Sequence, residues 1–352
     1  MSDPGYARLR SLDGLRGVAA SAVLLFHVSL ALGGWPGIPF LGAFWNGHNA
    51  VLLFFVLSGL ALSLSYWRRQ EDAWLPFLIR RVFRLYPAFA VSVLVEPALL
   101  PIAGAVGRAW RPIPGGIELL TCIARLGDPS NFSTWTLAHE MRISVVFPGL
   151  IWFMRVAGYR AVPIAAAISL LGPALGGDTT PLTVSDWSLT VYYAWLFVLG
   201  AEIARHEGAV RAWLGNHRPM AWGLAAFGLL VSSYSYVESP FGISTAFPFE
   251  IAAGALAVCA IGIPRLVAWL EAPLPQWLGR ISYSLYLLHI PLITATVSLS
   301  VGLLPKWAGL ALGVAISFAA AELSFRWIEQ PMMRLGRRVA VRLQPRLAHD
   351  QL

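Results

Sequence analysis

Two ionisable side chains stand on one segment of this chain at a spacing that suits a helix. In LDGLRGVAASAVLLFHV, residues 12–28, Arg16 and His27 are eleven positions apart. Eleven residues of α-helix rotate by about 1100°, roughly 20° beyond three full turns, and rise by about 16 Å. The two side chains are therefore predicted on one helix face, at two depths. A guanidinium suits phosphate groups, and an imidazole suits proton transfer.

A carboxylate that could pair with His27 occurs in WTLAHEMRISVVFP, residues 135–148. Residue counting places Glu140 at nearly the depth of His27, and a carboxylate orients an imidazole and stabilises its protonated form, as a general base for a hydroxyl nucleophile requires. Glu96, at similar depth, is the alternative partner of His27. Arg142 is predicted on another helix face, where it could pair with Glu96.

Two arginines one helical turn apart occur in RRVFRLYP, residues 80–87. Arg81 and Arg84 would share a face, and paired guanidinium groups can bind phosphate bidentately. A basic cluster of this kind is also typical of the cytoplasmic end of a membrane span. The phosphate interpretation gains weight because Arg16 is predicted at the same level.

The composition indicates that these residues must be positioned by helices in a membrane. Of the 352 residues, 57% are hydrophobic and 12% are charged, and the mean hydropathy is +0.65. An ordinary soluble domain carries about twice that share of charged residues. The sequence therefore predicts an all-α, polytopic integral membrane bundle.

About ten windows are long and apolar enough to cross a hydrocarbon core of about 30 Å. They cover residues 14–33, 49–66, 84–102, 135–154, 161–176, 188–205, 219–236, 245–262, 281–299 and 307–328. Ten spans place both termini on one side of the membrane. We expect residues 1–352 to form a single transmembrane domain with no appended soluble domain.

The distribution of basic residues predicts which side that is. Most of the 26 lysine and arginine residues fall near the two termini and in alternate loops, whereas Arg108, Arg111, Arg125 and Lys306 lie in the opposite loops. The positive-inside rule then makes both termini cytoplasmic. The net charge of +8 is thus a signal of topology, and arginines spread over several short loops are not typical of a nucleic-acid site.

Three other polar residues are predicted to support Arg16 and His27. Asp13 could cap the first helix or brace Arg16 three positions further on. Ser58 and His289 fall near mid-membrane by residue count, where they could line a channel or join two helices by hydrogen bonds. The two cysteines, Cys122 and Cys259, have no metal-ligand spacing, and no metal site is predicted.

Taken in chain order, these motifs resemble the membrane-bound acyltransferase 3 family. The matching segments are LDGLRGVAA with the Arg16 and His27 spacing, FFVLSGLALS at 54–63, RRVFRLYP with Arg81 and Arg84, WTLAHE at 135–140, ISYSLYLLHIPL at 281–292, and IEQP at 328–331. One departure is local. Many members have a Phe-Tyr pair directly after the glutamate, and this chain has EMRIS.

The resemblance implies an enzyme that moves an acyl group, most commonly acetyl, from cytoplasmic acyl-CoA to a hydroxyl of a carbohydrate or lipid-linked glycan at the outer face. It implies no permanently bound cofactor, and a location in the cytoplasmic (inner) membrane of a bacterium, among membrane lipids. Arg16, Arg81 and Arg84 would bind the phosphates of acyl-CoA. His27, supported by Glu140, would either deprotonate the acceptor or take the acyl group itself.

Two other classes remain compatible with the residues. A secondary transporter for an anionic solute would also need intramembrane arginine, histidine and glutamate, but should show repeated halves with broken helices. A polytopic glycosyltransferase that uses a lipid-linked sugar would be expected to carry acidic residues in its first outer loop. That loop, GGWPGIPFLGAFWNGHN, contains none.

Overall fold

The computed structural model describes residues 9–69, 74–103, 120–121, 123–124, 134–171, 187–234 and 246–343. Within these ranges all regular secondary structure is helical, so the all-α prediction is confirmed for the part of the chain that the structure describes. Most of the predicted outer loop at residues 103–134 lies outside the described residues.

Thirteen α-helices are numbered here in chain order. They are α1 Arg10–Ala31, α2 Gly47–Arg69, α3 Trp74–Ala103, α4 Trp135–Ala157, α5 Ala161–Ser169, α6 Trp187–Arg205, α7 Glu207–Asn216, α8 Arg218–Ser232, α9 Phe247–Gly262, α10 Pro264–Leu270, α11 Pro273–Ser300, α12 Lys306–Ser324 and α13 Gln330–Leu343. Short 3-10 turns at Gly42–Trp45 and Gly158–Arg160 and a π-helix at Phe325–Glu329 complete the described elements.

Each of the ten predicted windows overlaps one of these helices. Among the described residues, six segments are long and apolar enough to cross a membrane by themselves. They are Arg10–Ala31, Gly47–Leu64, Trp135–Ser169, Trp187–Arg205, Pro273–Ser300 and Lys306–Leu343. The pair α9 and α10, bent by 90°, makes a seventh if it is counted as one span.

Two close helix crossings hold the centre of the bundle. Gly17 of α1 faces Gly279 of α11, where an added Cβ on Gly17 would lie 2.4 Å from the Gly279 nitrogen. Gly59 of α2 faces α6, where Gly200 would place a Cβ 2.0 Å from the Val56 oxygen. Small residues at such crossings let helix backbones approach within van der Waals contact in a lipid environment, where burial of apolar side chains drives little association.

We expect Gly279→Ala to destabilise the protein, because its Cβ would lie 2.1 Å from the Asp13 carbonyl oxygen and force α1 and α11 apart. Overpacking of this kind costs about 1–3 kcal/mol. The midpoint of thermal unfolding of the purified protein in detergent measures the effect. Gly149→Ala in α4 is the matched control, since no heavy atom lies within 4 Å of its Cβ. Equal midpoints for the two variants would contradict tight packing of α1 against α11.

Candidate active site

His27 and His289 form a buried pair between α1 and α11. The Nε2 atom of His289 lies 3.1 Å from Nδ1 of His27, and the ring centroids are 4.9 Å apart. His289 has no exposed surface, and His27 is half-buried. The sequence predicted that His289 lines a channel or joins two helices by a hydrogen bond; the structure places it directly against the predicted catalytic histidine.

Backbone carbonyl groups determine where the protons of this pair reside. The Nδ1 atom of His289 lies 3.0 Å from the Leu285 oxygen, and Nδ1 of His27 lies 2.9 Å from the Val23 oxygen. A carbonyl oxygen can only accept, so each neutral ring carries its proton on Nδ1. Nε2 of His289 is then an acceptor for the N–H of His27. This arrangement leaves Nε2 of His27 with its lone pair, which is the form that a general base requires.

Glu140 lies in a separate network with two other helices. Its Oε1 atom accepts hydrogen bonds from Nη2 of Arg81 and from the Ser58 hydroxyl, the latter at 3.1 Å. None of the contacts described for Glu140 reaches His27, so the predicted pairing of Glu140 with His27 is wrong in this structure. The N–H of His27 is instead shared between the Val23 carbonyl oxygen at 2.9 Å and Nε2 of His289 at 3.1 Å.

The error arose from the depth at which α4 begins. Residue counting placed the start of α4 at the outer surface, but Thr134 is fully buried. Thr136, two residues on, already shares a 3.0 Å hydrogen bond with the Tyr286 hydroxyl, and Tyr286 lies one turn before His289 on α11. Glu140 is a further turn along α4, and so it reaches Arg81 and Ser58 instead of His27.

Ser58 joins Arg16 to this carboxylate. Nη2 of Arg16 donates to the Ser58 hydroxyl at 3.0 Å, and that hydroxyl donates to Glu140. Asp13 lies three positions before Arg16 on α1, and its role as a brace for Arg16 stays a prediction. The alternative role of Asp13 as a cap is wrong, because the N-cap of α1 is Leu9 and no side chain caps the helix.

Arg81 and Arg84 differ in how they are held. Arg81 is buried, pairs with Glu140 and donates through Nε to the Ser144 hydroxyl at 3.2 Å. Arg84 is half-buried. Arg81 thus forms part of the buried framework, while Arg84 extends toward the two cavities described next.

A partly enclosed aromatic cavity occupies the centre of the site. Its walls include the aromatic side chains Phe54, Phe55, Tyr283 and Tyr286 together with the polar side chains Arg16, Ser58, Arg84 and Glu140. The ring centroid of Tyr286 is 6.3 Å from that of His289. The histidine pair therefore lies next to the wall of this cavity.

A second cavity, the arginine cavity, adjoins the first. It is lined by Arg16, Arg80, Arg81, Arg84 and Arg337, with apolar contributions that include Phe77 and Met333. Arg16 and Arg84 line both cavities, so the two spaces meet at these side chains. No acidic residue in the described part of the chain lines the arginine cavity, which makes it suited to an anion.

A π-helix shapes the boundary beside Arg84. Pro331 has no backbone N–H to donate to the preceding turn, and the helix widens just before it, at Phe325–Glu329. Glu329 is buried there and accepts a 3.1 Å hydrogen bond from Ser284 of α11. The IEQP motif thus supplies a carboxylate to the arginine-rich region.

The remaining predicted residues lie apart from the histidine pair. Arg142 donates to Thr190 at 3.1 Å and lies over the Trp187 ring at 4.4 Å. Glu96 belongs to α3, but its side chain is outside the described residues, so its suggested pairing stays a prediction. Sequence reasoning missed Arg80 and Arg337 as cavity-lining residues, since each was one arginine among several in a basic cluster.

Comparison with known proteins gives the family. A family model described as an acyltransferase domain matches residues 9–324. The chain is similar to peptidoglycan O-acetyltransferase OatA of Listeria monocytogenes, at 27% identity over 93% of this chain and 56% of that protein. It is also similar to acyltransferase MdmB of Streptomyces mycarofaciens, at 26% identity over 99% of this chain and 98% of that protein.

The chain thus spans a little over half the length of OatA and nearly all of MdmB. Nodulation protein 10 of Rhizobium leguminosarum is similar at 26% identity over 81% of this chain and 82% of that protein. No solved structure matches the chain. The family match covers every helix from α1 to α12, including Arg16, Arg81, Arg84, His27 and His289 but not Arg337, and the chain therefore belongs to the membrane-bound acyltransferase 3 family.

Proposed function

We propose that the protein transfers an acyl group, most simply acetyl, from acyl-CoA at the cytoplasmic face to a hydroxyl of a carbohydrate at the outer face. The observation that carries this proposal is the continuous series of sites in the bundle. The arginine cavity adjoins the aromatic cavity. Tyr286 in the wall of the aromatic cavity lies next to His289, which pairs with His27. Family membership favours this chemistry over the transporter and the glycosyltransferase.

The donor would bind with its phosphates in the arginine cavity. Arg16 and Arg84 line both cavities, so phosphates held there would direct the pantetheine arm into the aromatic cavity. The rise from Arg16 to His27 along α1 is about 16 Å, of the same order as an extended pantetheine arm. The aromatic walls suit the arm and the acyl group, since ligand pockets are mostly apolar with a few polar anchors.

His27 would act on the acceptor through Nε2. In direct transfer, Nε2 takes the proton of the acceptor hydroxyl while its oxygen attacks the thioester carbonyl. The tetrahedral adduct then collapses, the carbon–sulfur bond breaks, and the CoA thiolate recovers the proton from the imidazolium. In the alternative, Nε2 attacks the thioester itself, the carbon–sulfur bond breaks and the CoA thiolate leaves; the acceptor hydroxyl then takes the acyl group from the histidine, and its proton goes to the thiolate. Acyl-enzyme trapped from donor alone would distinguish this route.

His289 takes the supporting role first predicted for Glu140. Nε2 of His289 accepts the N–H of His27 at 3.1 Å, which holds the ring orientation and stabilises its protonated form. Glu140 instead neutralises Arg81 directly and reaches Arg16 through Ser58. In this proposal Glu140 contributes to catalysis by holding the donor site in shape.

The orientation of the protein follows from the basic loops. We propose that ten spans place both ends of the described bundle in the cytoplasm of a bacterium, with the arginine cavity facing the acyl-CoA pool. The acceptor would then approach from the outer side, near His27. Two relatives carry the name peptidoglycan O-acetyltransferase, which favours a cell-wall or surface glycan as the acceptor.

We expect His27→Ala to abolish acyl transfer while acyl-CoA still binds. His27 takes part in the chemical step and lies about 16 Å along α1 from Arg16, which would bind the phosphates. Transfer is measured with labelled acetyl-CoA in reconstituted membranes, and binding by titration of the purified protein. His217→Ala is the matched control, since His217 is exposed between α7 and α8. A wild-type rate for His27→Ala would overturn the proposed chemistry.

For His289, we expect His289→Phe to lower kcat by about a hundredfold or more and to leave KM for the donor nearly unchanged. Phenylalanine fills the space but cannot accept the N–H of His27. His289→Gln should recover part of the rate, because its amide oxygen can accept that bond. If the two variants had the same kcat, His289 would serve packing alone.

A further inference from the structure

Two helices are much longer than a membrane requires. α3 has 30 residues, and the helical segment Lys306–Leu343, which includes α12 and α13, has 38. At 1.5 Å per residue they extend about 45 and 57 Å, compared with a hydrocarbon core of about 30 Å. Gly336 of α13 packs against Phe83 in the first half of α3. The two helices therefore pack side by side and form a wall of the arginine cavity.

Packing of α13 on α3 directs one of its arginines into that cavity. Gly336 and Ala340, one turn apart, are buried, and a Cβ on Gly336 would lie 2.5 Å from that of Phe83. Met333 and Arg337, also one turn apart, occupy the neighbouring stripe and line the cavity. The next arginine on the helix, Arg338, is exposed and lines neither cavity.

Arg337 differs from the deeper arginines in its surroundings. Arg81 is held by Glu140, and Arg16 donates to Ser58. Arg337 is exposed and forms no hydrogen bond or ion pair with any residue that the structure describes. The fold thus brings a fifth guanidinium to the rim of a cavity that already contains four. Without a partner, this guanidinium stabilises the empty protein little, but it is well placed to bind an anionic ligand.

We propose that Arg337 binds the 3′-phosphate of the CoA moiety of the donor. The inference rests on the proposed function. Along CoA the order is thioester, pantetheine, diphosphate, and then the ribose that carries the 3′-phosphate. With the arm in the aromatic cavity, the half-buried Arg16 and Arg84 meet the diphosphate. The exposed Arg337 then lies where the 3′-phosphate must be. A helix beyond the family match, which ends at residue 324, thereby completes the donor site.

The test compares CoA with 3′-dephospho-CoA, which lacks only that phosphate. Affinities are measured by calorimetry on the full-length protein in nanodiscs of phosphatidylcholine, which contain no anionic lipid. We expect wild type to prefer CoA by about tenfold or more, the effect of one charge-assisted contact. Arg337→Ala should lose this preference while its affinity for 3′-dephospho-CoA stays at the wild-type value, and Arg337→Lys should fall between the two.

Arg338→Ala is the matched control and should bind both nucleotides as wild type does. Equal weakening of both nucleotides by Arg337→Ala, or no weakening of either, would overturn the inference. An effect of Arg337→Ala that appears only in nanodiscs with phosphatidylglycerol would assign Arg337 to lipid headgroups and overturn it as well. Failure of wild type to bind either nucleotide would contradict the proposed function itself.

Discussion

The site depends on how the bundle neutralises charges that it buries. Transferring an arginine or a carboxylate out of water costs several kcal/mol per ion unless a partner lies in good geometry. Glu140 supplies that partner for Arg81, and Ser58 links the same carboxylate to Arg16. Residues of α1, α2, α3 and α4 meet in this one network, so the network holds four helices in a fixed arrangement around the aromatic cavity.

The register between α1 and α11 supplies the second constraint. Gly17 meets Gly279 at the close crossing, and ten residues further along each helix His27 meets His289. Because the two helices run in the same direction, an equal step of about 15 Å carries both from the glycine contact to the histidine contact. A shift of one residue would separate the rings, so the glycines determine the geometry of the proposed base without touching it.

Much of this arrangement can be predicted from spacing within a single helix. Predicting that Arg16 and His27 share a helix face required only the period of an α-helix, and α1 does extend over both residues. Contacts between helices were harder to predict from the sequence. Glu140 does not reach His27 because Thr136, near the start of α4, already lies level with Tyr286 on α11. Arg337 was missed because its helix packs on α3 through Gly336 and Ala340, a contact that no local pattern indicates.

The central claim is transfer across the bundle from the arginine cavity to a hydroxyl on the opposite side. The most direct measurement reconstitutes the protein in sealed vesicles, with labelled acetyl-CoA outside and a soluble cell-wall disaccharide trapped inside. Acetylated disaccharide should accumulate inside intact vesicles that contain the protein and should be absent from protein-free vesicles. Product that forms only after the vesicles are broken, when donor and acceptor share one side, would contradict transfer through the bundle.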